Sequence, residues 1–270
     1  MYYSPSPSRT SGCRADSQLI LLFKLFTAPI LIAALTWATR RYGTALVGLL
    51  IGIPLLTGPI SAIVAWEQGA AFAAKAATSN LVGQVSTCLF CLAYWAVARK
   101  GMTCWTSAAL GILTFAASTS LWSAIAWTLP TALLLLISTI LLLLRIMRPV
   151  RVLTPLPRPP VWDIPVRMLL SAVFVFGMTT LSRDLGSTLG GLLAPFPVFV
   201  LIFSTFTHRQ AGYGHAANLL RGIVLGSSSF MSFFSVVALG LPVLNPVLVY
   251  TTATVSSLLV SAALHRRRRY

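Results

Sequence analysis

The sequence predicts an all-α, polytopic membrane protein of about nine spans, and three observations carry that prediction. The first is composition: 57% of the 270 residues are hydrophobic and the mean hydropathy is +0.85, while only 9% are charged. A soluble domain carries roughly 25% charged residues, so the polar side chains here cannot cover a globular surface. The second is length: the apolar stretches run near the 20 residues that an α-helix needs to cross a bilayer. The third is the placement of charge, taken up below. Together they exclude a soluble enzyme, a secreted disulfide scaffold and a disordered basic tail. Alternating short segments of the kind that build a β-barrel are missing.

Polar or Gly/Pro punctuation cuts the chain into nine segments. They are Leu19–Ala38, Thr44–Ala65, Ala70–Val97, Met102–Ala117, Leu121–Leu144, Val161–Leu181, Ser187–Thr207, Tyr213–Leu239 and Pro246–Leu264. The fourth and fifth are divided only by Ser118-Thr119-Ser120, because no charge falls between Thr103 and Leu144. Residues 1–18 are polar and Pro/Ser-rich, carry no cleavable signal pattern, and read as a disordered tail. Trp37, Trp66, Trp95, Trp105, Trp122 and Trp162 fall near segment ends, where an interfacial aromatic belt places them.

Twenty Lys+Arg against four Asp+Glu give a formal charge of +16. With the N-terminus outside, thirteen of the cations lie in cytoplasmic segments: Arg40, Arg41, Arg99, Lys100, Arg145, Arg148, Arg151, Arg158, Arg209 and the run Arg266 to Arg269. The positive-inside rule therefore predicts N-out, C-in, which needs an odd number of spans. The charge reads as a topology code and not as a nucleic-acid footprint. Its partners are the bilayer and the anionic headgroups beside the basic loops and the C-terminus.

A shift of 143 positions aligns the two halves without a gap. Thr36 meets Thr179, Arg40 meets Arg183, Gly43 meets Gly186, Gly48 meets Gly191 and Pro54 meets Pro197. Ser61 meets Ser204, Gly69 meets Gly212, Gly83 meets Gly226, Ser86 meets Ser229 and Phe90 meets Phe233. The organisation that follows is a tail (1–18), repeat 1 (19–120), a linker span with a basic cytoplasmic loop (121–160), repeat 2 (161–264) and a basic tail (265–270). Four spans plus one unmatched span invert the second repeat, an architecture common among secondary transporters.

The segments Gly48-Leu-Leu-Ile-Gly-Ile-Pro54, Glu67-Gln-Gly-Ala-Ala-Phe-Ala-Ala and Phe90-Cys-Leu-Ala-Tyr-Trp-Ala resemble a group of bacterial inner-membrane proteins. In the second half, Gly190-Gly-Leu-Leu-Ala-Pro-Phe-Pro197 and Leu219-Leu-Arg-Gly-Ile-Val-Leu-Gly226 resemble the short GlpM-like membrane proteins. Those look like single-repeat versions of what this chain carries twice. The resemblance implies a bacterial inner-membrane location and, for some relatives, a link to exopolysaccharide production. It supplies no catalytic residues.

Candidate chemistry sits where proline interrupts a span, because proline removes a backbone donor and clashes with the preceding turn. Gly/Pro-interrupted spans at matching places in two halves point to a transporter site. The expected substrate-binding residues are Pro54, Thr57, Ser61, Pro195, Pro197 and Ser204, with Arg221 as the most deeply embedded cation, paired with Asp163 or Asp184 or holding a solute. The competing reading is that these Gly and Pro residues serve close helix packing. Lys24, Lys75 and Arg167 are expected to snorkel, Asp163 to be solvated at a membrane boundary, and His208 and His215 to be surface residues. Cys88 and Cys91 form a C-x-x-C without a redox context and are expected to pack.

No metal set, cofactor motif or catalytic constellation is recognisable, so the expectation is not an enzyme. The function expected is a small secondary transporter or permease-like protein for an anionic or otherwise small solute. The alternative is a non-transporting accessory protein supporting envelope or exopolysaccharide assembly.

Overall fold

The computed structural model describes residues 26–152, 160, 162–184 and 197–267, and among them the only regular structure is helical. The helices are α1 (26–42), α2 (Thr44–Ile51), α3 (Thr57–Gln68), α4 (Ala70–Arg99), α5 (Cys104–Ser123), α6 (Leu129–Ile146), α7 (Asp163–Asp184), α8 (Val198–Gly240) and α9 (Pro246–Arg267). Five of them (α4, α5, α6, α8 and α9) are long and apolar enough to cross a membrane. The protein is thus a multi-pass helical membrane protein. The segment expected at Thr44–Ala65 is divided into α2 and α3, each too short to cross alone. The seventh segment begins outside the described residues, which resume at Pro197.

The expected turn at Ser118-Thr119-Ser120 does not occur. Helix α5 continues to Ser123, and the chain turns at 124–128 instead. Ser118 donates to the carbonyls of Thr114 and Phe115, and Ser123 donates to Ser120. Hydroxyls that bond back to the preceding turn are satisfied within a helix and need not break it. The real stop is capped from the other side: Thr128 and Thr131 form a capping box in front of α6, with Pro130 in its first turn.

Three helix junctions consist of one glycine. Gly43 joins α1 to α2, Gly69 joins α3 to α4, and Gly212 divides α8 into two helices. Their backbones agree: φ/ψ is 89/166, 88/161 and 80/178 respectively. This region is open essentially to glycine alone. Gly69 and Gly212 are also the residues that the 143-residue shift superposes.

Helices α4 and α8 form the buried centre, and α5, α6 and α9 pack around them. Helix α6 contacts both α4 and α8. The outer helices leave Leu134, Leu141, Leu142, Val247, Leu248, Leu258 and Leu259 exposed. Side chains of this kind belong against lipid, where exposing them costs nothing.

The closest packing is backbone on backbone. A Cβ on Gly48 would lie 2.2 Å from Leu219 O, and one on Gly52 would lie 2.4 Å from the Gly226 Cα. Reciprocally, a Cβ on Gly222 would lie 2.6 Å from Ala45 O, and one on Gly226 would lie 2.5 Å from Leu49 O. Each helix therefore presents a G-x-x-x-G stripe to the other. Because 48 meets 222 and 52 meets 226, α2 and this part of α8 run parallel.

Candidate functional site

Two regions concentrate polar groups inside this bundle. The first is the break between α2 and α3. Pro54 has no N–H to offer Leu50 O, which accepts from Ile53 N instead (3.0 Å). The Leu55 amide, the helical partner of Ile51 O, turns to Ile53 O at 2.7 Å. The Ile51 carbonyl thereby loses its helical donor. Gly222, Gly226, Ser229 and Phe233 fall on one stripe of α8, about 60° wide at 100° per residue. Gly226 touches Gly52 and Phe233 lies over Gly58, so Ser229 sits between them at the level of the break. Ser229 is fully buried, and its hydroxyl has no partner among the described residues. Ser86, which the 143-residue shift superposes on Ser229, is also fully buried with no partner among the described residues.

Between these two serines lies a polar seam joining α4 and α8. Gln84 Nε2 donates to Ser227 Oγ at 2.8 Å, and the Cys88 thiol lies 3.4 Å from the same hydroxyl. Gln84 and Ser227 are 143 residues apart, the same offset that aligns the two halves of the sequence. Farther along, Tyr94 meets His208 (3.3 Å). In the helix that follows Gly212, Tyr213 lies beside Trp95 and Arg99 while Ser227 meets Gln84, so α4 and this part of α8 are antiparallel.

The residues expected to bind substrate have different neighbours. Pro54 is buried at the break and Thr57 is exposed at the start of α3. Ser61 is engaged by α9: the Tyr250 hydroxyl donates to Ser61 O at 2.7 Å and lies 2.9 Å from its Oγ. Ser204 donates to Leu201 O in its own helix, and Pro197 is buried in front of α8. Pro195 lies outside the described residues. Arg221 Nε donates to Met147 O at 2.8 Å and so closes the C-terminal end of α6. It does not pair with Asp163; the Asp184 side chain lies outside the described residues. The glycines of the Gly48–Pro54 segment serve helix packing, and only the proline opens the backbone.

The second polar region is one that sequence reasoning passed over. Asp163, at the start of α7, is 1% exposed and accepts from three elements. Arg167 Nε donates to its Oδ1 (2.9 Å), Gln210 Nε2 donates to the same oxygen (2.6 Å), and Arg40 donates to Oδ2 (3.2 Å). The Arg167 Nη2 group also donates to Gln210 Oε1 (3.3 Å). Its guanidinium lies 4.6 Å from the Phe206 ring centre and 5.4 Å from that of Phe203. Two expectations are corrected here. Arg167 does not snorkel, since its side chain is 5% exposed, and Asp163 is not solvated. The physical reason is the D-x-x-x-R spacing, which puts opposite charges on one helix face and lets each offset the other's desolvation. That spacing was the available signal.

Other expectations divide similarly. His208 is half-buried against Tyr94 and His215 is buried, so neither is a surface residue. Cys88 and Cys91 are buried free thiols, as packing residues should be. Trp37, Trp66, Trp105 and Trp162 are exposed, whereas Trp95 turns inward beneath the Arg99 guanidinium. Among the described residues, no group of three or more His, Cys, Asp or Glu side chains is placed to hold a metal.

Comparison with protein-family models, with curated proteins and with solved structures finds no match to the chain.

Proposed function

We propose that the protein is a small secondary transporter or permease-like protein whose two four-span halves are inverted about an in-plane pseudo-two-fold axis. The observation that carries this reading is the Gln84–Ser227 hydrogen bond. Two copies related by a two-fold axis can touch through the same residue only where that residue lies at the axis, and the helices that carry it then run antiparallel. Gly69 and Gly212 add matching helix junctions, and Ser86 and Ser229 add matching buried hydroxyls. In this arrangement the axis passes through α4 and α8, and the solute meets the opened backbone near Pro54 together with Ser229. Matching broken spans beside a repeat interface are where inverted-repeat transporters bind their cargo. The surplus of embedded cations favours an anionic solute. The location we infer is a bacterial inner membrane, N-terminus outside and C-terminus cytoplasmic.

One observation favours the second reading, a non-transporting accessory protein for envelope or exopolysaccharide assembly. The α2–α8 contact is packed glycine on glycine, which leaves no room for a solute along that stretch. The two readings separate in proteoliposomes. Charge-coupled currents driven by a panel of inorganic and organic anions should appear for the full chain and vanish in Pro54→Ala/Pro197→Ala, with membrane insertion retained. Currents absent across the panel, or unchanged in the double variant, would favour the accessory role or remove the broken-span site. Cysteine labelling of the two termini should place them on opposite sides; labelling from one side would refute an odd number of spans.

A further inference from the structure

The Arg40–Asp163–Arg167–Gln210 cluster holds two guanidinium groups against one carboxylate, so it carries one uncompensated positive charge. Arg167 uses Nε and Nη2 within the cluster, while its buried Nη1 group has no partner among the described residues. An unsatisfied charged donor in a low-dielectric setting is costly, and the chain has few carboxylates to relieve it. Asp184 sits at the opposite end of α7, 17 residues and about 26 Å from Arg167 at 1.5 Å per residue. Glu67 is exposed at the far end of α3. Asp16 lies outside the described residues. No described acid other than Asp163 is placed to reach Nη1.

We propose that Arg167 Nη1 binds an oxyanion, a phosphate group carried by a lipid headgroup or free in solution. With Nε and Nη2 engaged, each N–H of Nη1 can donate one charge-assisted hydrogen bond to a phosphate oxygen. The flanking Phe203 and Phe206 rings pack against the guanidinium and hold it in place. Arg40, whose side chain is 37% exposed, links the cluster to the surface and supplies the second positive charge. The level is right for a headgroup: α1 ends here, α7 begins here, and Trp162, next to Asp163, is exposed as interfacial tryptophans are. The site does not depend on transport and stands apart from the break at Pro54.

The test uses the full chain in neutral detergent, with the thermal unfolding midpoint read by tryptophan fluorescence. Sodium phosphate is titrated against sodium chloride at matched ionic strength, and phosphatidylglycerol against phosphatidylcholine in mixed micelles. We expect a saturable rise in midpoint. A rise with inorganic phosphate assigns the site to a free solute, and a rise with phosphatidylglycerol alone assigns it to a headgroup. Losing a charge-assisted hydrogen bond weakens binding by about tenfold or more. That loss is expected in Asp163→Asn/Arg167→Gln, which removes the donor while keeping the buried charges balanced. Arg40→Gln, which leaves Arg167 in place but cancels the net charge, should show a similar loss and decides the matter should the double variant not fold. Arg209→Gln, an exposed cation beside the cluster, should bind as the parent does. No saturable response to either probe, or an undiminished response in the cluster variants, would overturn the site.

Discussion

Replacing Gly226 by alanine tests the backbone contact on which the centre of the bundle rests. The added Cβ would lie 2.5 Å from Leu49 O and 2.9 Å from the Gly52 Cα, whereas ordinary contact begins near 3.4 Å. The atoms met are backbone, which cannot swing aside, so α2 and α8 must separate by roughly the 0.9 Å shortfall. Overpacking of this kind costs about 1–3 kcal/mol, and a gap of 0.5–1 Å forfeits about a quarter to a half of the dispersion attraction along the contact. Helix propensity works the other way, since alanine is better than glycine by about 1 kcal/mol in a helix interior. Gly177 isolates that opposing effect, because a Cβ there meets nothing within 4 Å. We therefore expect Gly226→Ala to be less stable than Gly177→Ala by about 1–3 kcal/mol. Reversible unfolding of the two variants in mixed dodecylmaltoside/SDS micelles measures that difference. Equal stability would show that α2 and α8 are not in backbone contact, and the parallel G-x-x-x-G pairing would have to be abandoned.

Other substitutions probe the remaining features. Asp163→Asn strips the buried carboxylate from Arg167 and should cost about 3 kcal/mol or more; combining it with Arg167→Gln should cost less than the sum, as a double-mutant cycle in the same assay would reveal. Gln84→Leu removes the donor to Ser227 and should destabilise by about 0.6 kcal/mol, the average for hydrogen bonds between membrane helices, and by no more than about 1.7 kcal/mol, the largest such value. Gly69→Ala and Gly212→Ala meet no steric obstacle but force a side chain into a glycine-only backbone region, at about 1–3 kcal/mol each; a neutral result would mean that these junctions are not one-residue joints. Arg221→Gln should loosen the end of α6, seen as faster amide exchange over 143–147, while Arg209→Gln should not.

Composition, span length and punctuation make the helical membrane class legible, because continuous apolar runs of this length satisfy their backbone in lipid as helices, where a barrel would need alternating short strands. The proline break is legible too, since Pro54 removes a donor wherever it sits in a helix. The Ser118–Ser120 turn misleads because hydroxyls in a membrane helix bond the preceding carbonyl and leave the helix intact. Arg221 misleads for a related reason: depth in a sequence segment does not say which neighbour is near, and the end of α6 supplies a carbonyl that no local pattern foretells. Gly48 and Gly52 are ambiguous in one dimension. They mark either an opened helix or a close contact, and only the partner stripe at Gly222 and Gly226 decides between them.

The acid count carries more than its four residues suggest. In a chain with so few carboxylates, the burial of Asp163 with cations from α1 and α7 cannot be an incidental surface pair, since a surface pair contributes little and is readily lost to solvent. Gln210, which completes the cluster, lies two residues before the Gly212 junction, and Arg40 lies three residues before the Gly43 junction. The carboxylate thus ties together the ends of two helices whose next step is a glycine joint. Any rearrangement at those joints must break or carry these bonds, so an oxyanion-loaded cluster and a bare one would hold α1 and α8 with different strength. The Asp163→Asn variant, with stability and anion response measured on the same sample, separates the two roles. A loss of stability with the phosphate response intact would make Asp163 a brace, and a loss of both would make it part of the binding site.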